Sequence, residues 1–269
     1  AADATGGLAA GDKYMDDGKL YVAKFKADGT GEWVELAFGK NGITASAAGY
    51  AFADQADVLI HARLAVPGID RRVIVEAMMT HSGNKKDRLF YDWQLPGVTL
   101  VTPDLSRFDT CWARENGQRN AILDGLAGAD PQDVIMISDS DEVPTPDGVA
   151  RAVQALTHHS AVVLCQRMFN YSRKWEDPRG WRGTVVTTLR HLLTTTPQHL
   201  RDQRETLPRI PDAGEHLSYF GGADEVSRKL ASFAHSEYTA LAGDKTVIRQ
   251  RMEAGQDLFG RWSLQPAPA

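Results

Sequence analysis

Residues 134–148 read VIMISDSDEVPTPDG, and this stretch decides the fold. Four apolar residues, Val134 to Ile137, run straight into Asp139, Asp141 and Glu142. A run that is apolar at every position suits a strand covered on both faces. The acids then stand at its carboxyl end, where open α/β sheets bind ligands. Thr145-Pro146-Asp147 reads as N-cap, first-turn proline and first-turn acid of the next helix. Val149, Val153 and Leu156, at i, i+4 and i+7, give that helix its buried stripe.

The same texture extends outward from about Gly68. VIVEA (73–77), VTLV (98–101) and AVVLC (161–165) are further short apolar runs, several of them separated by helical patterns. The alternation predicts an α/β domain with a partly parallel sheet and helices on both faces. Residues 1–50 differ: they are rich in Gly, Ala and Asp and hold the strand-like runs KLYVAKF and GEWVELAF. Between those runs lies KADGTG, whose Asp28-Gly29 is a hairpin signal. A small, mostly β N-terminal segment is therefore expected over 1–68, and the α/β domain over 69–265.

At 269 residues the chain is long enough for one sizeable core or two small ones. The hydrophobic share of 42% and charged share of 24% are ordinary for a soluble protein. A net charge of −5 gives no reason to expect nucleic acid or an anionic membrane as partner. Cys111 and Cys165, the only cysteines, show no metal-type spacing and mildly favour a reducing compartment. No apolar run approaches the roughly 20 residues that a membrane helix needs. The first residues, AADATGGLAAG, lack the basic and apolar regions of a signal peptide. A soluble, cytoplasmic protein is expected.

Asp139, Asp141 and Glu142 admit three readings. They can be solvated turn and capping acids. They can converge on a hard divalent cation such as Mg²⁺ or Mn²⁺, which prefers carboxylate oxygen and relieves their mutual repulsion. Such a metal serves a nucleotide-sugar glycosyltransferase, where it bridges the diphosphate and stabilises the leaving group. Third, Asp139-Ser140-Asp141-Glu142-Val143 fits the DxDx(T/V) pattern of haloacid-dehalogenase-type phosphatases, with Asp139 as nucleophile. That pattern belongs near the start of its domain and needs a later acid pair, and neither condition is met here.

From about Val73 to Arg261 the chain resembles glycosyltransferase family 17, whose animal member adds the bisecting N-acetylglucosamine to N-glycans. The resemblance is carried, in order, by VIVEAMMTHSGNKK, RENGQRNAILDGL, DVIMISDSDEVPTPDGV, FNYSRKW with WRGTVVT, HLSYFGGADEVSRKLASFAHSEY and IRQRMEAGQDLFGR. It implies a GT-A-like fold, a nucleotide-sugar donor (a UDP-sugar), a glycan acceptor and a divalent metal. Carried over by position, Asp139, Asp141 and His216 become metal ligands. Glu142 and Asp224 become catalytic candidates, Asp224 as general base for an acceptor hydroxyl. Glu76, Arg114, Arg119, Asn120 and Trp181 become donor-binding candidates, and Trp175 joins Trp181 as an aromatic for sugar stacking. Each also has a plain structural reading: a core histidine, a helix-start acid, solvated arginines, buried loop anchors.

Two departures qualify the resemblance. Glu215 stands where the family has tryptophan before the histidine; it is either an added metal ligand or a residue facing solvent. The family's first strand and helix are also missing ahead of VIVEA. In their place residues 1–68 resemble a fragment of PhoX-type alkaline phosphatase, with the joint near Pro67-Gly68. On that reading residues 57–66 pack beside VIVEA and residues 1–50 form a separate hairpin layer. The donor pocket is then incomplete, and the domain is a remnant of low turnover that still binds sugar or nucleotide.

Overall fold

The computed structural model describes residues 69, 71–87, 98–232 and 239–267, together with four strands at 13–16, 19–25, 31–35 and 42–47. Strands β1 (Lys13–Asp16), β2 (Lys19–Phe25) and β3 (Gly31–Glu35) make a three-stranded antiparallel sheet. Phe25 faces Gly31 across the β2–β3 turn, so the hairpin signalled by KADGTG forms.

The main sheet holds β4 (Gly42–Ala47), β5 (Arg71–Val75), β6 (Val98–Val101), β7 (Val134–Asp139), β8 (Glu142–Pro144), β9 (Ala161–Asn170), β10 (Trp175–Thr188), β11 (Arg209–Ile210), β12 (Gly214–Ser218) and β13 (Gln265–Pro266). Its order is β6-β5-β4-β7-β10-β9-β12-β8, with β11 beside β9 and β13 beside β10. Strands β6, β5, β4 and β7 run parallel, and β10 turns antiparallel between β7 and β9. The fold class is the expected one, α/β with a partly parallel sheet.

The helices are α1 (Cys111–Asn120), α2 (Pro146–Ala155), α3 (Leu189–Leu192), α4 (Pro197–Asp202), α5 (Gly222–Ser232), α6 (Thr239–Ala242) and α7 (Lys245–Ala254). Strand β7 shows why an unbroken apolar run was needed. Ile135 and Ile137 join Val73, Val75, Ile122, Leu192 and Leu200 on one face. Val134 and Met136 join Val149, Ala152, Val162 and Leu164 on the other. Both isoleucines are fully buried, each contributing about 1.5–3 kcal/mol. Helix α2 starts as read: the Thr145 side chain accepts from the Gly148 N–H, and Pro146 opens the first turn. Its buried face centres on Val149 and Ala152, with Val153 and Leu156 at the margin.

The N-terminal expectation needs correcting. Residues 42–47 do not form a layer apart from the acids: β4 lies between β5 and β7, pairing Ala45 with both Val73 and Ile137, and Ala47 with Asp139. Beside VIVEA, where the family's first strand is missing, GITASA pairs on one side and VTLV on the other. The segment 57–66, expected to fill it, lies outside the described residues. Among the described residues no helix is long and apolar enough to cross a membrane.

Candidate active site

Strand β7 ends at Asp139, a two-residue turn follows, and β8 carries Glu142 back beside β12. At Gly214 of β12 a Cβ would lie 2.4 Å from the Val143 carbonyl, so only glycine permits this approach. The pairing sets His216 opposite Glu142, and the Leu217 N–H donates to the Asp141 carbonyl at 2.8 Å. Two distant chain segments thus meet at the carboxyl end of the parallel strands.

Each acid of the motif meets protein cations. Asp139 accepts from Arg119 at 3.0 Å and from Arg201 at 2.5 Å. Burial alone would raise the Asp139 carboxyl, but Arg201 and Arg119 hold it well below the usual carboxylate range. Asp141 accepts from the Lys229 Nζ at 2.9 Å, and His216 Nε2 lies 3.3 Å from the same oxygen. These two neighbours outweigh burial and keep the Asp141 carboxyl ionised. Glu142 has no exposure at all. Its oxygens receive the Trp181 Nε1–H at 2.7 Å, the Arg201 guanidinium at 2.8 Å and the Asp139 N–H at 3.1 Å. Thr184 Oγ1 lies 3.3 Å away. A carboxylate so enclosed cannot touch a substrate; it positions Trp181 and Arg201, which corrects its expected catalytic role.

Beside Asp139 opens a cavity of about 360 Å³, walled by Trp112, Glu115, Trp181, Arg201 and Arg204 among others. The Trp112 side chain is about half exposed at its mouth. The Arg204 guanidinium stacks over Trp181, 4.8 Å from the ring centre. Burial and the neighbouring Arg201 push Arg204 below its ordinary pKa, so an anion here would relieve a like-charge contact. Two indoles and a guanidinium suit a flat or sugar ring that carries negative charge.

The other sequence candidates are scattered by comparison. Arg119, buried at the end of α1, also meets Gln198 and Glu115 and lines the cavity. The Asn120 side chain accepts from the Gln198 N–H at the start of α4. Arg114 donates to the His81 carbonyl at 3.0 Å and so braces the loop after β5. Glu76 is buried against Lys86 in that same loop. Burial pushes His81 down to about 4, so its 3.8 Å approach to Glu115 is no ion pair near neutral pH. Trp175 lies against Gly255, where a Cβ would come within 2.5 Å of the indole. It is therefore an anchor for the C-terminal helices and not a wall of the cavity.

Glu215 turns to Arg173, 2.7 Å away, while its neighbour His216 faces Asp141. Adjacent strand residues point to opposite faces, so Glu215 does not join the acid motif. Asp224 is two-thirds exposed and paired with Lys245 at 2.6 Å. That hydrogen bond lowers its carboxyl further, the wrong direction for a base. Asp224→Ala is expected to leave sugar transfer within about twofold of wild type, as for other exposed, lysine-paired acids. A loss of tenfold or more in initial rate would restore Asp224 as the base.

Four residues escaped the sequence reading: Arg201, Arg204, Lys229 and Trp112. Lys229 alone carried a signal, a charge beside Leu230 on the edge of the apolar stripe of α5.

The acids do not make the expected metal site. Among the described residues no three His, Cys, Asp or Glu side chains converge to hold an ion. A dication bound by Asp141 would also face the Lys229 ammonium. That ammonium already answers the Asp141 carboxylate, so the attraction of this acid for a cation is largely cancelled. With both Asp139 oxygens held by arginines, no carboxylate is free to act as a phosphatase nucleophile either.

The chain belongs to glycosyltransferase family 17, whose family model matches residues 50–263. It is a glycosyltransferase by that membership. The match begins ahead of Pro67-Gly68, so it includes residues claimed by the alkaline-phosphatase resemblance. No curated protein matches the chain. Among solved structures the chain is similar to Francisella tularensis 2-C-methyl-D-erythritol 4-phosphate cytidylyltransferase, at 9% identity and a TM-score of 0.39 over 64% of this chain and 91% of that one. A 4-diphosphocytidyl-2C-methyl-D-erythritol synthase is similar at 10% identity and a TM-score of 0.41, over 64% and 89%. S. aureus TarS is similar at 9% identity and a TM-score of 0.38, over 78% and 72%.

Proposed function

We propose that this chain transfers N-acetylglucosamine from a UDP-sugar to a glycan acceptor, with the donor in the cavity beside Asp139. The observation that carries the proposal is that cavity's lining: indoles at Trp112 and Trp181, and Arg204 crowded by a second guanidinium. The choice of sugar rests on the family's animal member. In the reaction an acceptor hydroxyl attacks the anomeric carbon. The new C–O bond forms as the bond to the diphosphate breaks; the electron pair leaves with the diphosphate, and the hydroxyl proton passes to solvent water. Arg204 meets that growing charge, while Trp181, held by Glu142, orients the sugar. Asp139 stays ionised between Arg119 and Arg201 and fixes both guanidiniums at the cavity wall.

The test is calorimetry with UDP-N-acetylglucosamine, followed by an assay of UDP release with and without an N-glycan. Binding that weakens about tenfold or more in Arg204→Ala, with acceptor-dependent UDP release, supports the reading. Binding of a different nucleotide sugar in preference to UDP-N-acetylglucosamine would overturn the choice of donor.

A further inference from the structure

We propose that Lys229 joins Arg204 in supplying the positive charge that meets the donor's diphosphate, in place of a divalent metal. Donor binding is then independent of metal. The inference rests on the donor reading above and adds the source of the neutralising charge.

Lys229 sits on α5 between Val226 and Leu230, both buried, so its helix face is fixed by the core beneath. Its ammonium reaches Asp141 at 2.9 Å and lies 4.9 Å from the centre of the Tyr219 ring. Tyr219 has φ 58, a conformation that a bulky residue rarely adopts and that collects at functional sites. The ammonium is thus held from two sides, by a carboxylate and by an aromatic face. It keeps some exposure, 17% of its side chain, which leaves an N–H for a ligand.

A second polar group waits at the same point. His216 is 7% exposed, and its Nδ1 has no hydrogen-bond partner. The His216 ring lies 4.6 Å from Trp181, which walls the cavity, so this group adjoins the donor space. The charges close without a metal. Asp139, Asp141 and Glu142 are answered by Arg119, Arg201 and Lys229. What a diphosphate needs is a cation that can turn part of its field outward, and of these three Lys229 is the most exposed. A lysine serves this role as a compact charge with rotatable donors.

The test uses the full chain and two probes, MnCl₂ alone and UDP. The expected result is no calorimetric Mn²⁺ binding at millimolar concentration, and a UDP Kd that EDTA changes by less than twofold. Lys229→Met should weaken UDP at least tenfold, and Lys229→Arg should recover most of the loss. Thermal melts identify any variant that fails to fold; Lys229→Arg and the EDTA comparison then carry the test. UDP binding that requires Mn²⁺, or a folded Lys229→Met with unchanged affinity, would overturn the inference and leave the donor reading intact. No UDP binding with or without Mn²⁺ would sink the donor reading, and this inference with it.

Discussion

Arg201→Met is expected to destabilise the domain by about 3–5 kcal/mol, the loss typical when one partner of a buried ion pair is removed. Arg201 is 2% exposed and joins three groups at once. Its guanidinium meets Asp139 at 2.5 Å and Glu142 at 2.8 Å and 3.3 Å, and it also donates to the Gly183 carbonyl. Without it, Glu142 is a fully buried carboxylate left with neutral donors: Trp181, Thr184 and one backbone N–H. A typical domain has only about 5–15 kcal/mol of stability, so this single change removes a large share. Arg201→Lys should restore little, because an ammonium cannot span two carboxylates and a carbonyl as a planar fork does. Adding Glu142→Gln to Arg201→Met should recover part of the loss by removing the stranded charge. Urea denaturation of the variants gives the number. A loss below about 1 kcal/mol for Arg201→Met would mean that the guanidinium is not the keystone of the acid motif.

Much of this site was legible, and its limits have a physical cause. The apolar run 134–137, its two-faced burial and the Thr145 cap are local features, set within a few residues. The acids at the strand end follow from the same run. Their partners do not. Arg201 lies 62 residues beyond Asp139, and Lys229 lies 88 beyond Asp141. No pattern near either acid announces which cation will arrive, so a metal was the natural guess for three clustered carboxylates. Glu215 is different: the alternation of a strand already separates it from His216, and that rule was available from the sequence. The choice among carboxylates for a base meets a related limit. The position of Asp224 at a helix start was readable, but its exposure and its Lys245 partner were not.

The largest misreading concerned GITASA, and it gives the sharpest remaining test. The stretch has no long apolar run and begins with glycine, so it carries no signal of a central strand and falls within the separate hairpin layer expected of residues 1–50. A central strand, however, needs only backbone N–H and C=O groups on both edges, and β4 uses both, towards β5 and β7. Strands in a sheet sit about 4.8 Å apart. Removing β4 would leave β5 and β7 separated by a full strand's width. The face formed by Val73, Val75, Ile135 and Ile137 would then lose its continuity. Ala45→Pro attacks this strand with one residue, since proline removes an N–H and is excluded from central strands. The expected outcome is loss of the folded state, read as insoluble protein or absence of a cooperative melt. Two truncations separate β4 from what precedes it. A chain beginning at residue 37 keeps β4 and loses the β1–β3 sheet, which pairs with no strand of the main sheet, so its thermal midpoint should match wild type. A chain beginning at residue 49 exposes the unpaired edges of β5 and β7 and should aggregate. If that shorter chain stayed monomeric with an unchanged midpoint, β4 would be dispensable, and the sheet would have to close by pairing β5 directly with β7.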